Sequence, residues 1–457
     1  MGREEGARKG RSLAIVFVLI IGLVSLLADI ANEGTRSIIG PYLVLLGASA
    51  TTVAVVAGLS ELTGYSLRIL FGWVTDKKGH YWAFLFVGYT INVVAVPALA
   101  LAGDWVGAVC LIMAERVGRA IRSPARDAML SHAGKEVGRG WSYGVQEALS
   151  SVGGMVGPMV VVIVMLLDGD YRLGFEVLLV PALLAMVFLA YARKINPDPR
   201  KMEGSCFPAE KKKRFSRRFW IYVLAGAFIA CGYADFPLIA FHIGTLAGVS
   251  EGWIPVLYAV AMASDALSAL AFGKLYDRRG MMSLVAASLV VPLFVPLIFS
   301  SDFAVVVIGM LLYGVGFGAQ ESVMRAIVAD LSPHCRRGFA FGSYNAAFGV
   351  AWFLGSVSMG ILYDISLPVM MALSMGLQFA AVPLLAIVMR RHPKPLPEKD
   401  REEAVQASGT TTPSALATLS VLTSLPVVSP EKEITPSPTL GTAANTGTTA
   451  EMAEIKE

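Results

Sequence analysis

Charge is scarce in this chain. Of its 457 residues only 16% are Asp, Glu, Lys or Arg, against 55% hydrophobic, and the mean hydropathy is +0.63; an ordinary soluble domain is about one quarter charged. That shortfall excludes a soluble globular protein and points to a chain that lives in a bilayer. Cysteine is also sparse. Cys110, Cys206, Cys231 and Cys335 are far apart, so neither a disulfide framework nor a zinc site is implied, and thiols in helices or cytoplasmic loops are expected to stay reduced. The five histidines show no metal-ligand spacing, so no metal and no cofactor are expected. A Gly-x-x-x-x-Gly-Lys segment is missing, which argues against direct use of ATP.

Long apolar runs dominate what is present. A helix crosses a hydrocarbon core of roughly 30 Å in about 20 residues, and twelve stretches qualify: 13–46, 50–74, 81–102, 105–128, 138–167, 172–193, 219–246, 251–275, 281–300, 303–329, 338–363 and 368–390. The expected fold is therefore all-α and polytopic, with twelve transmembrane helices in two pseudosymmetric six-helix bundles, residues 13–193 and 219–391. Lys and Arg alternate between loops. They occur at Lys77 and Lys78, Lys135 and Arg139, Arg278 and Arg279, and Arg336 and Arg337, and ahead of the first span at Arg3, Arg8, Lys9 and Arg11, while the other loops hold only Arg172. By the positive-inside rule both termini are cytoplasmic and the protein sits in the cell membrane. The net charge of +4 thus reports topology, and no nucleic-acid partner is expected.

Residues 1–12 form a cytoplasmic N-terminus, and the first run is expected to remain as a signal anchor, being longer than a signal-peptide core. Residues 194–218 read as a cytoplasmic linker, because Asn196-Pro-Asp-Pro199 cannot continue a helix. Its basic run, Lys211 to Arg214, fits a solvated loop better than a lipid contact. Residues 392–457 turn to Thr, Ser, Pro, Ala and Glu without periodicity and read as a disordered cytoplasmic tail.

The chain repeats one short string: Gly72-Trp-Val-Thr-Asp76-Lys77-Lys-Gly79 and, 201 residues on, Gly273-Lys-Leu-Tyr-Asp277-Arg278-Arg-Gly280. A second match pairs Arg139-Gly-Trp-Ser-Tyr-Gly144 with Arg337-Gly-Phe-Ala-Phe-Gly342, after which Gly157 aligns with Gly355. Two such matches in an apolar chain indicate a duplicated membrane half. The Gly-x-x-x-Asp-basic-x-Gly string resembles the motif of the major facilitator superfamily, over residues 12 to 391, with His80 and Met281 where that family closes on a basic residue. The Gly and Asp positions have a physical reading of their own. Gly72 and Gly273 allow close helix contact, and an Asp ending one helix can sit against the positive N-terminus of another. Under two-fold pseudosymmetry Asp76 should face the start of the eleventh span near Gly338, and Asp277 the start of the fifth near Gly140, as latches. Gly153-Gly-Met-Val-Gly157-Pro158 is similar to the family's antiporter motif, with Val161-Val162 in place of its trailing glycines. It reads equally as a small-residue packing face with a proline bend.

Charges inside the spans are the candidate site. A charge at mid-bilayer costs about 2.5–3.5 kcal/mol on insertion scales, so each should face protein or a watery cavity. The fourth span resembles the family's intramembrane arginine motif at Glu115-Arg116-Val-Gly118-Arg119, with Ala120 for its usual Gly; Glu115 and Arg116 fall about 15 Å from the outer end at 1.5 Å per residue. Glu147 on the fifth span has similar depth and is expected to partner Arg116. Asp29, Glu33 and Arg36 share one face of the first span, and Glu61 and Arg68 one face of the second. Asp235 and Asp265 lie deep in the second half, with His242 nearer the outer surface. Glu321 and Arg325 are spaced to pair. These charges form either a static ion-pair network or a set whose surplus acids bind protons or a cationic group. Phe228, Phe236, Tyr258, Phe317, Tyr344 and Trp352 are candidate lining, or plain packing, on the less charged side.

Together these readings predict a secondary active transporter working by alternating access, proton-coupled and exporting small amphipathic or cationic organic compounds. The rival substrate is a polar or anionic metabolite held by Arg36, Arg68 or Arg116. A membrane enzyme would need a nucleophile and base, or metal ligands, converging at one depth, and only acids and arginines do so. A receptor on the same scaffold would be expected to lose the latches. The expected partners are a small-molecule substrate, protons and the bilayer, and the expected state is a monomer.

Overall fold

A computed structural model of the chain describes residues 2–168, 170–197, 214–245 and 253–390. The expected tail, most of the expected linker, Cys206 and the loop around Gly248 lie outside the described residues. Every regular element among the described residues is helical. The first half contains α1 (Gly2–Leu45), α2 (Ala50–Lys78), α3 (Tyr81–Ala98), α4 (Trp105–Val137), α5 (Arg139–Asp168), α6 (Tyr171–Val177) and α7 (Leu179–Ile195). The second contains α8 (Arg217–Gly232), α9 (Phe236–Thr245), α10 (Trp253–Arg279), α11 (Met282–Val290), α12 (Phe294–Ile298), α13 (Phe303–Leu331), α14 (Arg337–Ile365) and α15 (Leu367–Arg390). With α6–α7, α8–α9 and α11–α12 each making one broken crossing, these are twelve spans in two bundles.

Among the described residues nine helical stretches are long and apolar enough to cross a membrane. The other three crossings fall short for visible reasons. α2 and α4 carry charges in mid-length, and α11–α12 is interrupted by a 3-10 turn, Val291–Leu293, that contains Pro292. Pro237 has a similar effect in the seventh crossing, where the chain leaves helix between Gly232 and Phe236. Helix starts are capped at Ser49, Asp104, Ser216 and Asp302, whose side chains accept backbone N–H groups of the first turn. The closing glycines of the repeated string are the C-caps: Gly79 (φ 76°) and Gly280 (φ 62°) adopt the left-handed conformation and donate back to Thr75 and Tyr276. The motif thus caps each helix three residues beyond its Asp.

Cys335 departs from expectation. It is disulfide-bonded, whereas Cys110 and Cys231 are free. Wide sequence spacing argues against a bridge framework, yet it carries no information about which loops meet in space.

Pseudosymmetry extends into the packing. Within the first bundle α5 seats on α1 through Gly153 and Gly157, where an added Cβ would strike the carbonyl oxygens of Leu26 and Ile30. In the second bundle Gly355 of α14 lies on the carbonyl of Cys231 of α8, the counterpart of Gly157 on Ile30. The bundles meet along α2–α14 and α5–α10. There Gly72 abuts the Gly338 carbonyl, Gly140 and Gly273 abut one another, Gly342 lies on Arg68, and Gly144 on Ala269. At each of these positions a side chain would displace backbone. Gly153 and Gly157, grouped by sequence with the latches, therefore pack within one bundle and do not span the seam; Pro158 follows them inside α5.

Candidate functional site

Three helices of the first bundle bring six charges into one closed circuit. Arg36 lies 3.7 Å from Glu33 and 3.6 Å from Glu61. Glu61 continues to Arg116 at 3.2 Å, and Arg116 to Glu115 at 3.4 Å. Glu115 meets Arg119 at 3.2 Å, which returns to Glu33 at 3.9 Å. Arginine and glutamate alternate around the ring, so each charge has two neighbours of opposite sign and the whole is neutral. This is how α1, α2 and α4 hold ionised groups at bilayer depth. The ring is unevenly covered: the side chains of Arg116 and Glu115 are 9% exposed, those of Glu61 and Arg36 37% and 51%.

Arg119 belongs to the fourth-span motif, and sequence reasoning leaves it out of the site. The signal is nonetheless present, because Arg119 stands four residues after Glu115 and therefore on its face of α4. Counting it corrects the surplus of acids expected from sequence, since three arginines balance three glutamates. A second correction concerns Glu147. It does not reach Arg116; it pairs with Arg325 of α13, which also holds Glu321 at 3.0 Å and donates to Gln146 Oε1 at 2.5 Å. Depth fixes a residue's height along a helix but not its azimuth, and Glu147 faces the opposite bundle. Arg68 is likewise apart from the ring, stacked over Tyr65 at 4.3 Å.

The three aspartates named from sequence within the spans each meet a serine. Asp29 accepts from Ser150 within the first bundle, Asp235 from Ser356 at 2.7 Å within the second, and Asp265 contacts Ser151 at 2.5 Å across the seam. Among the aromatics, Phe236 and Tyr258 pack at 4.6 Å and Phe317 and Trp352 at 6.3 Å. Phe228 packs, half-buried, against the main core, and Tyr344 is buried on Tyr222.

At the face carrying the basic loops, Asp76 accepts from the backbone N–H groups of Gly338 and Phe339 at 2.9 and 2.6 Å. Asp277 accepts from those of Gly140 and Trp141 at 2.8 and 2.7 Å. Each carboxylate thus occupies the N-terminus of a helix of the other bundle, where free N–H groups and the helix dipole favour an anion. Lys77 lies over the Trp73 ring at 4.9 Å, and Arg278 is exposed at the end of α10. Arg139 pairs with Asp330 across the same seam, and Arg337 contacts His132 at 3.2 Å. Sequence reasoning missed Asp330, Gln146, Ser150, Ser151 and His132, whose significance depends on a partner in another helix. Among the described residues no group of His, Cys, Asp and Glu could hold a metal ion.

Two helical bundles joined by paired glycine seams, with balanced charge buried between crossings, define a membrane transporter. The chain belongs to the Major Facilitator Superfamily, whose family model matches residues 21–320 and 252–443. An uncharacterized protein of Mycobacterium tuberculosis is 38% identical over 84% of this chain and 94% of its own length. An uncharacterized MFS-type transporter of Methanocaldococcus jannaschii is 23% identical over 76% of this chain and 89% of its own. In fold, the chain is similar to the crystal structure of a bacterial homologue of the iron transporter ferroportin, with TM-score 0.65 and 13% identity, covering 82% of this chain and 99% of that one.

Proposed function

We propose that this transporter works by alternating access as a proton-coupled exporter of small amphipathic or cationic organic compounds. It would act as a monomer in the cell membrane, with the basic loops and both termini cytoplasmic. The observation that carries this reading is the pairing of a closed basic face with a charge ring still reached by solvent. Contacts that can form only when the bundles meet, at Asp76 and Asp277, coexist with a ring whose Glu61 and Arg36 remain open. A neutral ring suits exchange. An entering cation that takes a carboxylate frees an arginine, and the ion pairs must rearrange, which gives substrate binding a differential effect on the two states.

One observation favours an anionic metabolite instead: Arg36 is the most exposed ring member, and both of its ion pairs are longer than 3.5 Å. Flux into proteoliposomes under an imposed proton gradient, across cationic and anionic compounds, separates the readings. The first expects gradient-driven flux of cations that Glu61→Gln abolishes; the second expects anion flux that Arg36→Gln abolishes. Flux indifferent both to the gradient and to Glu61→Gln would dispose of the coupled-exporter reading.

A further inference from the structure

The seam between α5 and α10 holds a carboxyl group that the ring and the latches do not use. Asp265 is 1% exposed. Its Oδ1 is buried without a hydrogen-bond partner, and no ion pair reaches it among the described residues. Its Oδ2 lies 2.5 Å from Ser151 Oγ, which is also 2.9 Å from the Glu147 carbonyl oxygen. A serine hydroxyl has one hydrogen, and Ser151 is placed to donate it to two acceptors, the Glu147 carbonyl oxygen and Asp265 Oδ2. One hydrogen cannot serve both contacts fully, and a proton on the Asp265 carboxyl supplies the second.

The surroundings support the same assignment. The titratable groups around Asp265 are Glu147 of α5, Glu321 and Arg325 of α13, with the phenols of Tyr233, Tyr313 and, on its own helix, Tyr258 nearby. One arginine therefore faces three acids, and Arg325 is already engaged by Glu147 and Glu321. An ionised Asp265 would add an unpaired charge to a buried seam, which proteins avoid by protonation or by separation. Asp29 and Asp235 sit on serines too, but within single bundles and only part-buried. Asp265 alone of the three bridges the parts that move.

We infer that Asp265 carries a proton whenever the basic face is closed, and that this proton is a condition of closure. When α5 and α10 part, Ser151 withdraws and the carboxyl meets water on the basic side, to which its proton leaves. Reclosure with Asp265 ionised would bury a third carboxylate around Arg325, which Glu147 and Glu321 already engage, so the seam closes only after Asp265 regains a proton from the basic side. Gly318 of α13 packs directly on this residue, where a Cβ would strike the Asp265 carbonyl oxygen and lie 2.6 Å from its Oδ1. The inference goes beyond the proton-coupled reading above: a proton taken from and returned to the basic side gates closure of that face without crossing the membrane.

The test is conformational and needs no substrate. Spin labels at Glu136→Cys and Arg279→Cys, exposed residues of opposite bundles at the basic face, report the bundle separation in the full-length protein in lipid. The wild type should lose its short-distance population as pH is raised. Asp265→Asn, isosteric and permanently neutral, should keep that population at every pH, while Asp265→Glu should retain the transition with its midpoint displaced. An Asp265→Asn protein that undergoes the wild-type transition overturns the inference, as does a wild type with none. Flux separates the two claims. Gradient-independent wild-type flux beside a transition lost in Asp265→Asn removes the coupled-transport reading alone; gradient-driven flux beside a transition intact in Asp265→Asn removes the Asp265 assignment alone.

Discussion

At the residue scale, the ring explains how a chain so poor in charge tolerates six charges in three crossings. Each arginine answers two glutamates, so removing one member strands two others. Breaking a buried ion pair by deleting one partner costs about 3–5 kcal/mol, far more than an exposed pair is worth. Arg116 is the most costly member to lose because it is covered and joins α2 to α4 through Glu61 and Glu115. We expect Arg116→Gln to lower the stability of the folded protein in detergent by about 3 kcal/mol, and Glu61→Gln, on the open side, by less. The double variant should be milder than the sum, with a coupling of about 1–3 kcal/mol in thermal or denaturant unfolding. Strict additivity would mean that the two side chains do not interact. The pairing of Glu61 with Arg116 is not evident from sequence, because depth along a span says nothing of rotation about it. For the same reason depth alone matches Glu147 to Arg116, when its partner is Arg325.

At the element scale, the seam is made of helix ends. Asp76 and Asp277 each take two N–H groups at the start of a helix in the opposite bundle, so both contacts exist only when the basic face is closed. A carboxylate at a helix N-terminus is worth up to about 2 kcal/mol in a partly buried setting. Replacing either by Asn should shift the closed-to-open ratio about tenfold toward open, because about 1.4 kcal/mol is a factor of ten. The contacts belong to different helix pairs, so the two shifts should multiply in the double variant to about a hundredfold. Reactivity of single cysteines beneath the latches toward a soluble thiol reagent measures this, and unchanged reactivity in both single variants would refute it. These contacts are legible in the amino-acid sequence because the repeat converts position along the chain into position in space. A 201-residue offset for the Asp string and a 198-residue offset for the Arg-Gly string set each Asp opposite the other half's helix start. The twelve crossings are legible from apolar length and alternating basic loops. The breaks at Pro237 and Pro292 are not, since a proline permits a break without fixing where the helix resumes, and neither is the disulfide at Cys335.

At the scale of the whole molecule, the contacts that cross between bundles are graded along the membrane normal. Nearest the basic face stand Asp76, Asp277 and the Arg139–Asp330 pair; deeper lie Arg325 with Glu147, and then Ser151 with Asp265. The seam between α2 and α14 continues through Tyr65 against Gly349 to Gly58, where Phe353 is 3.8 Å from an added Cβ. Polar contacts therefore cluster on one side of the seam and glycine or aromatic contacts continue beyond them, the arrangement expected of two rigid bodies that rock about their middle. If rocking is obligatory, tying the basic face shut must stop turnover while leaving the ring open to the opposite side. A reducible bifunctional crosslinker joining Glu136→Cys and Arg279→Cys should abolish flux. In the crosslinked protein Arg36→Cys should still react with an impermeant reagent applied opposite the basic face and remain silent from the basic face. Reduction of the linker should restore both flux and two-sided labelling. A crosslinked protein that carries substrate at the untied rate would mean that the bundles need not separate at this face, and the closed seam would then be permanent structure and not one state of a cycle.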